Sequence, residues 1–324
     1  MISLLEIAQR TRTGPRMAEM DWNMALFHKM NELAQRYQIV VPPNSWDHFC
    51  NDDDALAERA LQAGIAFLAE AGAYCLQTER VVQFTEAEIR AAVAASPRQV
   101  VMGAGDEARV YGEGPIALPR AGGCSYLHGP FEDEIAADVA MCYVRALNMD
   151  CLEGYNFRRL DGYEIHGVPL EAAAARRQIA RLRQAFEAVG RPGLAAFLYP
   201  ISTADAVLTA ALDERHGLRP TDGVLLSPLP DVKLDEDHLT AAIILEQYGA
   251  TAKNGGGYAM AGGFCGGIAG AIIETIAKAI LAWMALRDAL NGGGIGNTLS
   301  MRQKRIVVQP VLSWGSSVCA QALA

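Results

Sequence analysis

The chain has 324 residues, 51% of them hydrophobic, with 31 glycines and a net charge of -9 at pH 7. That length and apolar content allow one barrel-sized domain or two ordinary ones and exclude a disordered chain. The acidic balance argues against nucleic-acid and anionic-membrane partners, which select for clustered positive charge.

The first sixteen residues, "MISLLEIAQRTRTGPR", lack the long apolar region and small-residue cleavage site of a secretory signal, so a cytoplasmic protein is expected. Helices are predicted over Trp22 to Arg36, over Ala55 to Ala73 behind the acidic start "NDDDALAER", and after the capping box Thr85-x-x-Glu88. Residues 1–95 therefore read as an N-terminal helical layer. Next, "QVVMG" and "ARVYGEGPIAL" predict a strand and a small hairpin about the Gly112-Glu113-Gly114 turn. In "GGCSYLHGP", Cys124 and His128 have ligand-like spacing, but zinc needs at least three protein ligands and no third is evident. The seven cysteines contain no C-x-x-C and read as reduced, buried small hydrophobes.

From about residue 133 helices alternate with short apolar strands. The predicted order is helix Asp133 to Leu147, strand "MDCLEGYN", helix Leu170 to Val189, strand "GLAAFLYP", a helical stretch, and strand "DGVLLSP". Helix Glu236 to Tyr248, the glycine-rich "NGGGYAMAGGFCGG" with its helix from Ile268, and strand "KRIVVQPVL" follow. Such alternation implies right-handed βαβ units and a parallel sheet. In "AARRQIARLRQAF", Ile179, Leu182 and Phe186 form the apolar stripe, which leaves the four arginines for a solvated face. The apolar segment Ile268 to Leu286 is long enough to span a membrane, but Glu274 and Lys278 suit an i,i+4 pair of a soluble helix in water.

No nucleotide loop follows any strand. Gly255 and Gly257 lead to Met260 where a dinucleotide fingerprint needs glycine, and the Gly262–Gly267 spacing is followed by Ile268 where a P-loop needs lysine. Those absences and the helical N-terminal layer favour a TIM (β/α) barrel over an open doubly wound sheet. The whole chain, residues 1–324, then reads as one domain, with residues 96–324 as the barrel. Chemistry in a barrel sits where strands end and βα loops begin. Candidate ligand-binding positions are therefore Asn156 and Arg158, Tyr199, Ser227, Tyr258 in the glycine-rich loop, and His128 in an earlier polar loop. No Ser/His/Asp order, nucleophile elbow or paired-carboxylate motif identifies catalytic residues.

The stretch "AGAYCLQTERVVQFTEAEI", residues 71–89, resembles a segment of the monomethylamine:corrinoid methyltransferases. The islands "DW" at Asp21, "NELAQRYQI", "QVVMGAG", "GRPGLAAF" and "AGGFCGGIAGAIIET" agree in the same order. The resemblance implies a TIM barrel with an added N-terminal helical layer; this chain stops sooner than the family's, so either the closing elements are supplied differently or the sequence is a fragment of a longer product. It also implies a homo-oligomer, hexameric in the family. The implied activity is methyl transfer from a small methylated compound to a corrinoid carried by a partner protein, with no cofactor held by the chain itself. The family's pyrrolysine aligns at Phe197 or Leu198, and the two carboxylates beside it near Leu225 and Gly256, so this chain resembles a member without pyrrolysine and with a less anionic pocket. A substrate other than monomethylamine, such as a quaternary amine, is then expected. The alternative is the same scaffold with another enzyme activity or a non-catalytic binding role.

Overall fold

The run Ala195-Ala196-Phe197-Leu198 is buried at all four positions, the pattern of a strand covered on both faces. In the computed structural model, which describes residues 1–40, 54–97, 99–112, 124–126, 130–146, 150–199, 202, 205–226, 228–250 and 263–287, that strand lies inside the main sheet. The first part of the chain forms α1 (Leu4–Thr13), α2 (Glu19–Arg36), α3 (Asp54–Glu70), β1 (Ala73–Cys75), β2 (Arg80–Val82), α4 (Glu86–Ala94), β3 (Gln99–Met102) and β4 (Arg109–Gly112). Then come β5 (Cys124–Tyr126), β6 (Pro130–Glu132), α5 (Asp133–Ala146), β7 (Cys151–Glu153), β8 (Asn156–Leu160), β9 (Tyr163–Glu164) and α6 (Val168–Ala188). The described chain closes with β10 (Ala195–Leu198), α7 (Asp205–Ala211), β11 (Gly223–Val224), β12 (Lys233–Leu234), α8 (Glu236–Tyr248) and α9 (Ile268–Leu286).

Strands β11, β10, β7 and β5 pair in that order, all in parallel. Helices α5 to α8 cover one face, where Leu152, Ala196, Leu198 and Val224 join a core with Ala136, Ile179, Phe186 and Leu245. The predicted alternation of helix and strand is thus observed between residues 133 and 248. The described residues form an open four-stranded parallel sheet and no closed barrel, and the strand predicted at 304–312 lies outside them.

Strands β3 and β4 pair across a short 3-10 turn at Gly105–Glu107, where Gly103 and Gly105 supply positive φ, and the hairpin expected about residues 112–114 falls largely outside the described residues. Two expectations are corrected. The N-terminal layer is not all helix: it holds β1 and β2, and β1 pairs with β2 and, in parallel, with β12, so a three-stranded sheet stitches the layer to the later chain. The arginines of α6 are likewise not all on a solvated face: Arg176 is exposed, but the other three are drawn into ion pairs. Arg177 and Arg181 grip Asp133 at the start of α5, and Arg183 reaches Asp222.

Local signals explain where helices begin. Thr85 and Glu88 exchange the two bonds of a capping box at α4, and Asp235 caps α8 by accepting from the His238 N–H. Helix α9 is long and apolar enough to cross a membrane, yet it packs as a core helix among α2, α3 and α4. Its Glu274 and Lys278 are each only 1% exposed, so they form a buried charge pair rather than the solvated one expected. Glu274 accepts from the Asp231 N–H at 3.0 Å, while burial pushes its carboxyl up to about 7 and the Lys278 ammonium down.

At the N-terminal end of the sheet, the Asp222 carboxylate is fully buried and collects Arg183, Arg219 and the backbone N–H groups of Ala196 and Arg219. One side chain thereby ties α6, β10 and the entry to β11. Removing a partner strands buried charge, which costs about 3–5 kcal/mol. Asp222→Ala is expected to lower the unfolding free energy by that amount, read as a lower urea midpoint at an unchanged slope; a loss below about 1 kcal/mol contradicts the assignment.

Candidate functional site

The pleat of β7 and β10 sends alternate side chains to opposite faces. Leu152, Ala196 and Leu198 enter the helix-side core, while Cys151, Ala195 and Phe197 meet Met102 of the β3–β4 hairpin on the other face. Register pairs Glu153 with Phe197 and Phe197 with Gly223, so these three form a row across adjacent strands, with Glu153 closing β7 and Gly223 opening β11. Met102, Cys151 and Ala195 fill the same face below them. The Phe197 ring lies over Gly223, where any Cβ would strike its Cδ1 and Cε1 atoms. Glycine here is what lets the ring lie flat across β11.

Glu153 is 3% exposed. Within the described residues its carboxylate makes no ion pair or hydrogen bond, and burial alone pushes its carboxyl up to about 8. A carboxyl without a counter-charge, beside an aromatic ring at the ends of parallel strands, is the arrangement of a ligand site. Ionised, it presents negative charge in an apolar setting to which a small cation with apolar substituents is complementary. Phe197 adds a ring face that attracts cations.

The structure distributes the sequence candidates unevenly. Tyr199 follows β10, and its backbone N–H and C=O both bond to the Gln178 carboxamide of α6. Asn156 opens β8, and its buried Oδ1 has no hydrogen-bond partner. Arg158 is two residues further along, its side chain 66% exposed, with Glu132 3.7 Å away. His128, Ser227 and Tyr258 lie outside the described residues, as does Gly256. Of the two positions at which the resemblance would put the family's pyrrolysine, Phe197 shares the inner face with Glu153 and Leu198 belongs to the helix-side core. Leu225 is half-buried beyond β11. The glycine-rich segment is described only from Gly263, and Gly266 there has φ 78° and sits against Asn31 of α2 as a packed turn.

Sequence reading passed over Glu153 and Gln178. Glu153 carried a usable signal, since an acidic residue inside the otherwise apolar "CLEGY" has no reason to be in a buried strand unless paired or functional. Among the described residues no three His, Cys, Asp or Glu side chains cluster as metal ligands. The crevice between Leu212, Leu218, Val224 and Leu245, on the helix side, is too narrow for water, so it does not compete as a site.

Comparison with known proteins places these observations. The sequence model of the family described as Monomethylamine methyltransferase MtmB matches residues 2–294. Monomethylamine methyltransferase MtmB2 of Methanosarcina acetivorans is 27% identical over 284 residues, covering 85% of this chain and 60% of the relative. MtmB of Methanosarcina mazei shows the same identity and coverage. The crystal structure of Methanosarcina barkeri MtmB superposes with a TM-score of 0.78 at 23% identity, covering 88% of this chain and 62% of that one; a hydroxylamine complex of MtmB matches equally well. The chain thus spans about 60% of the length of the curated relatives it matches.

The Glu153 carboxyl has a consequence for stability. Its native value near 8 against an ordinary 4.5 means that, between those pH values, the native state keeps a proton the unfolded state has released. Its contribution therefore declines as pH rises through that window, by on the order of 5 kcal/mol, and is level above it. Glu274 titrates in the same range, so the informative quantity is the difference from Glu153→Gln. Denaturant melts are expected to show Glu153→Gln gaining on the parent from about pH 5 to about pH 8 and exceeding it in stability at the alkaline end. A pH-independent difference contradicts the burial of an unpaired carboxyl.

Proposed function

This chain belongs to the monomethylamine methyltransferase MtmB family, and from that premise we propose that it moves a methyl group from a small methylated amine to a corrinoid carried by a partner protein. The reaction site is the inner face at the C-terminal ends of β7 and β10. The observation that carries this reading is the pairing of a buried, unpartnered carboxylate, Glu153, with the Phe197 ring one strand away. We further propose that the four parallel strands belong to a TIM barrel, that the protein is a cytoplasmic homo-oligomer, and that the corrinoid is not resident on this chain.

The residues suggest how the substrate is handled. Glu153 holds the ammonium charge, and the Phe197 ring and Cys151 supply apolar contact for N-methyl groups. The corrinoid of the partner supplies a cobalt nucleophile with the electron pair for the new bond to carbon. As that bond forms the C–N bond breaks, and its electron pair leaves on nitrogen as a neutral amine. A quaternary ammonium needs no proton for this, because its nitrogen already carries the charge that the departing pair neutralises. A primary amine carries that charge only while protonated, and then leaves as ammonia, whereas the quaternary charge is permanent. The adduct-forming residue that the family uses aligns with an unreactive side chain, Phe197 or Leu198, which supports a substrate other than monomethylamine.

With the reduced corrinoid partner, tetramethylammonium or a related quaternary amine is expected to drive methylation of the corrinoid, read from its absorbance, and monomethylamine is not. Glu153→Gln is expected to lower kcat/KM about 100-fold through loss of the charge that meets the cation. Methylation by monomethylamine, or binding of quaternary amines with no transfer to any corrinoid partner, contradicts the proposal. The second outcome favours a binding role on the same scaffold.

Binding alone has its own pH signature. The permanent cation selects ionised Glu153, so its affinity is expected to rise about tenfold per pH unit up to about pH 8 and to level off above. Calorimetric titration checks this, and a flat profile between pH 6 and 8, about two units wide, contradicts a role for Glu153.

A further inference from the structure

The last ladder bond between β7 and β10 runs from the Gly154 N–H to the Phe197 carbonyl at 2.8 Å. Beyond it the two strand ends are joined through Gln178, a polar residue 1% exposed in the middle of α6. Its Nε2 donates to the Tyr155 carbonyl at 2.6 Å and to the Tyr199 carbonyl at 3.0 Å, and its Oε1 accepts from the Tyr199 N–H at 2.9 Å. A single carboxamide thus satisfies three backbone groups on two strands, using both donors and its acceptor. Gly154 makes room for it, since a Cβ at that position would strike Gln178 Oε1 and Cδ. No positive φ explains that glycine; the carboxamide does.

From this geometry we infer that Gln178 is a positioning residue for the site: it holds the chain leaving β7, two residues past Glu153, at a set distance from the chain leaving β10, two residues past Phe197. The inference rests on reading the Glu153 face as the substrate site. Helix cores favour apolar side chains, and an isosteric methionine would fill the same volume at little cost in packing. A glutamine is retained here for what it bonds. With the carboxamide removed, three backbone groups lose their partner and satisfy themselves from water. The water enters at the end of the sheet, next to the Glu153 carboxyl, while the gap between carboxylate and ring widens. Small displacements of this kind weaken a preorganised site far more than they weaken a fold.

Two variants of the full chain separate positioning from bulk stability. Gln178→Met removes the bonds and keeps the volume. Gly154→Ala keeps the glutamine but displaces it: the three atoms nearest the added Cβ all belong to the Gln178 side chain and none to the backbone, so this variant calls for a side-chain shift alone. Two readouts are taken on folded protein. Infrared difference titration follows the Glu153 carboxyl band, identified by its absence in Glu153→Gln, and calorimetry measures tetramethylammonium affinity at a pH above the carboxyl's midpoint. The expected result in each variant is a midpoint lower than the parent's by about one pH unit or more, with affinity reduced about tenfold or more. An unchanged midpoint and affinity, with only the melting temperature lowered, overturns the inference and leaves Gln178 a structural strut. If the parent itself does not bind the cation, the substrate reading fails, while the carboxyl midpoint still decides whether Gln178 positions Glu153.

Discussion

A two-residue alternation along β7 and β10 governs both the packing and the chemistry of this molecule. Every second side chain of these strands is committed to helices α5 to α8, and that commitment supplies the larger share of the sheet's apolar burial. The opposite face receives little from the described chain beyond Met102 at its lower end. A one-residue slip would carry Glu153 into the aliphatic helix core and Leu152 into the site. Register is therefore held at both ends: Asp222 and its arginines at the N-terminal edge, the Gln178 carboxamide at the C-terminal edge. Between them Glu153 stays beside Phe197 without a counter-charge among the described residues, which is unfavourable for folding and favourable for meeting a cation.

The N-terminal layer contributes by fixing the path of the chain after β11. Asp231 and Val232 both take positive φ, 62° and 53°, a costly conformation for a β-branched residue. Three bonds hold it: Trp22 Nε1 to the Asp231 carbonyl at 2.9 Å, the Asp231 N–H to Glu274 at 3.0 Å, and the Tyr74 N–H to the Val232 carbonyl at 3.2 Å. Their sources are α2, α9 and β1, so the turn is set by elements from opposite ends of the described sequence. Trp22 in turn stacks on Tyr74 with ring centroids 5.7 Å apart. The layer is thus part of the same folding unit as the sheet.

Where local chemistry decides structure, the sequence was readable. Helix α8 begins and ends where Asp235 and Gly249 say it should, and the capping box at Thr85 starts α4 as expected. Apolar periodicity located α5, α6 and α9, and the short apolar runs located β7, β10 and β11. Features that depend on distant partners were not readable. Three-residue β1 and β2 carry too little pattern to stand out, and the pairing of β1 with β12 joins segments far apart in the chain. The same holds for the site. Tyr199 was singled out from its place after a strand, but its neighbour Gln178 looked like one more polar position on an amphipathic helix, and its role is visible only once two strand ends meet it. Glu153 lay in plain view among apolar residues, and weighing the cost of burying its charge would have found it.

The central claim is that a methylated cation sits between the Glu153 carboxylate and the Phe197 ring. Tetramethylarsonium has the shape and charge of tetramethylammonium and carries an anomalous scatterer at its centre. In crystals of the full chain grown with it above the pH at which Glu153 ionises, the strongest arsenic peak is predicted between that carboxylate and that ring. A peak at another face of the sheet, or no peak at a saturating concentration of the cation, would contradict the account.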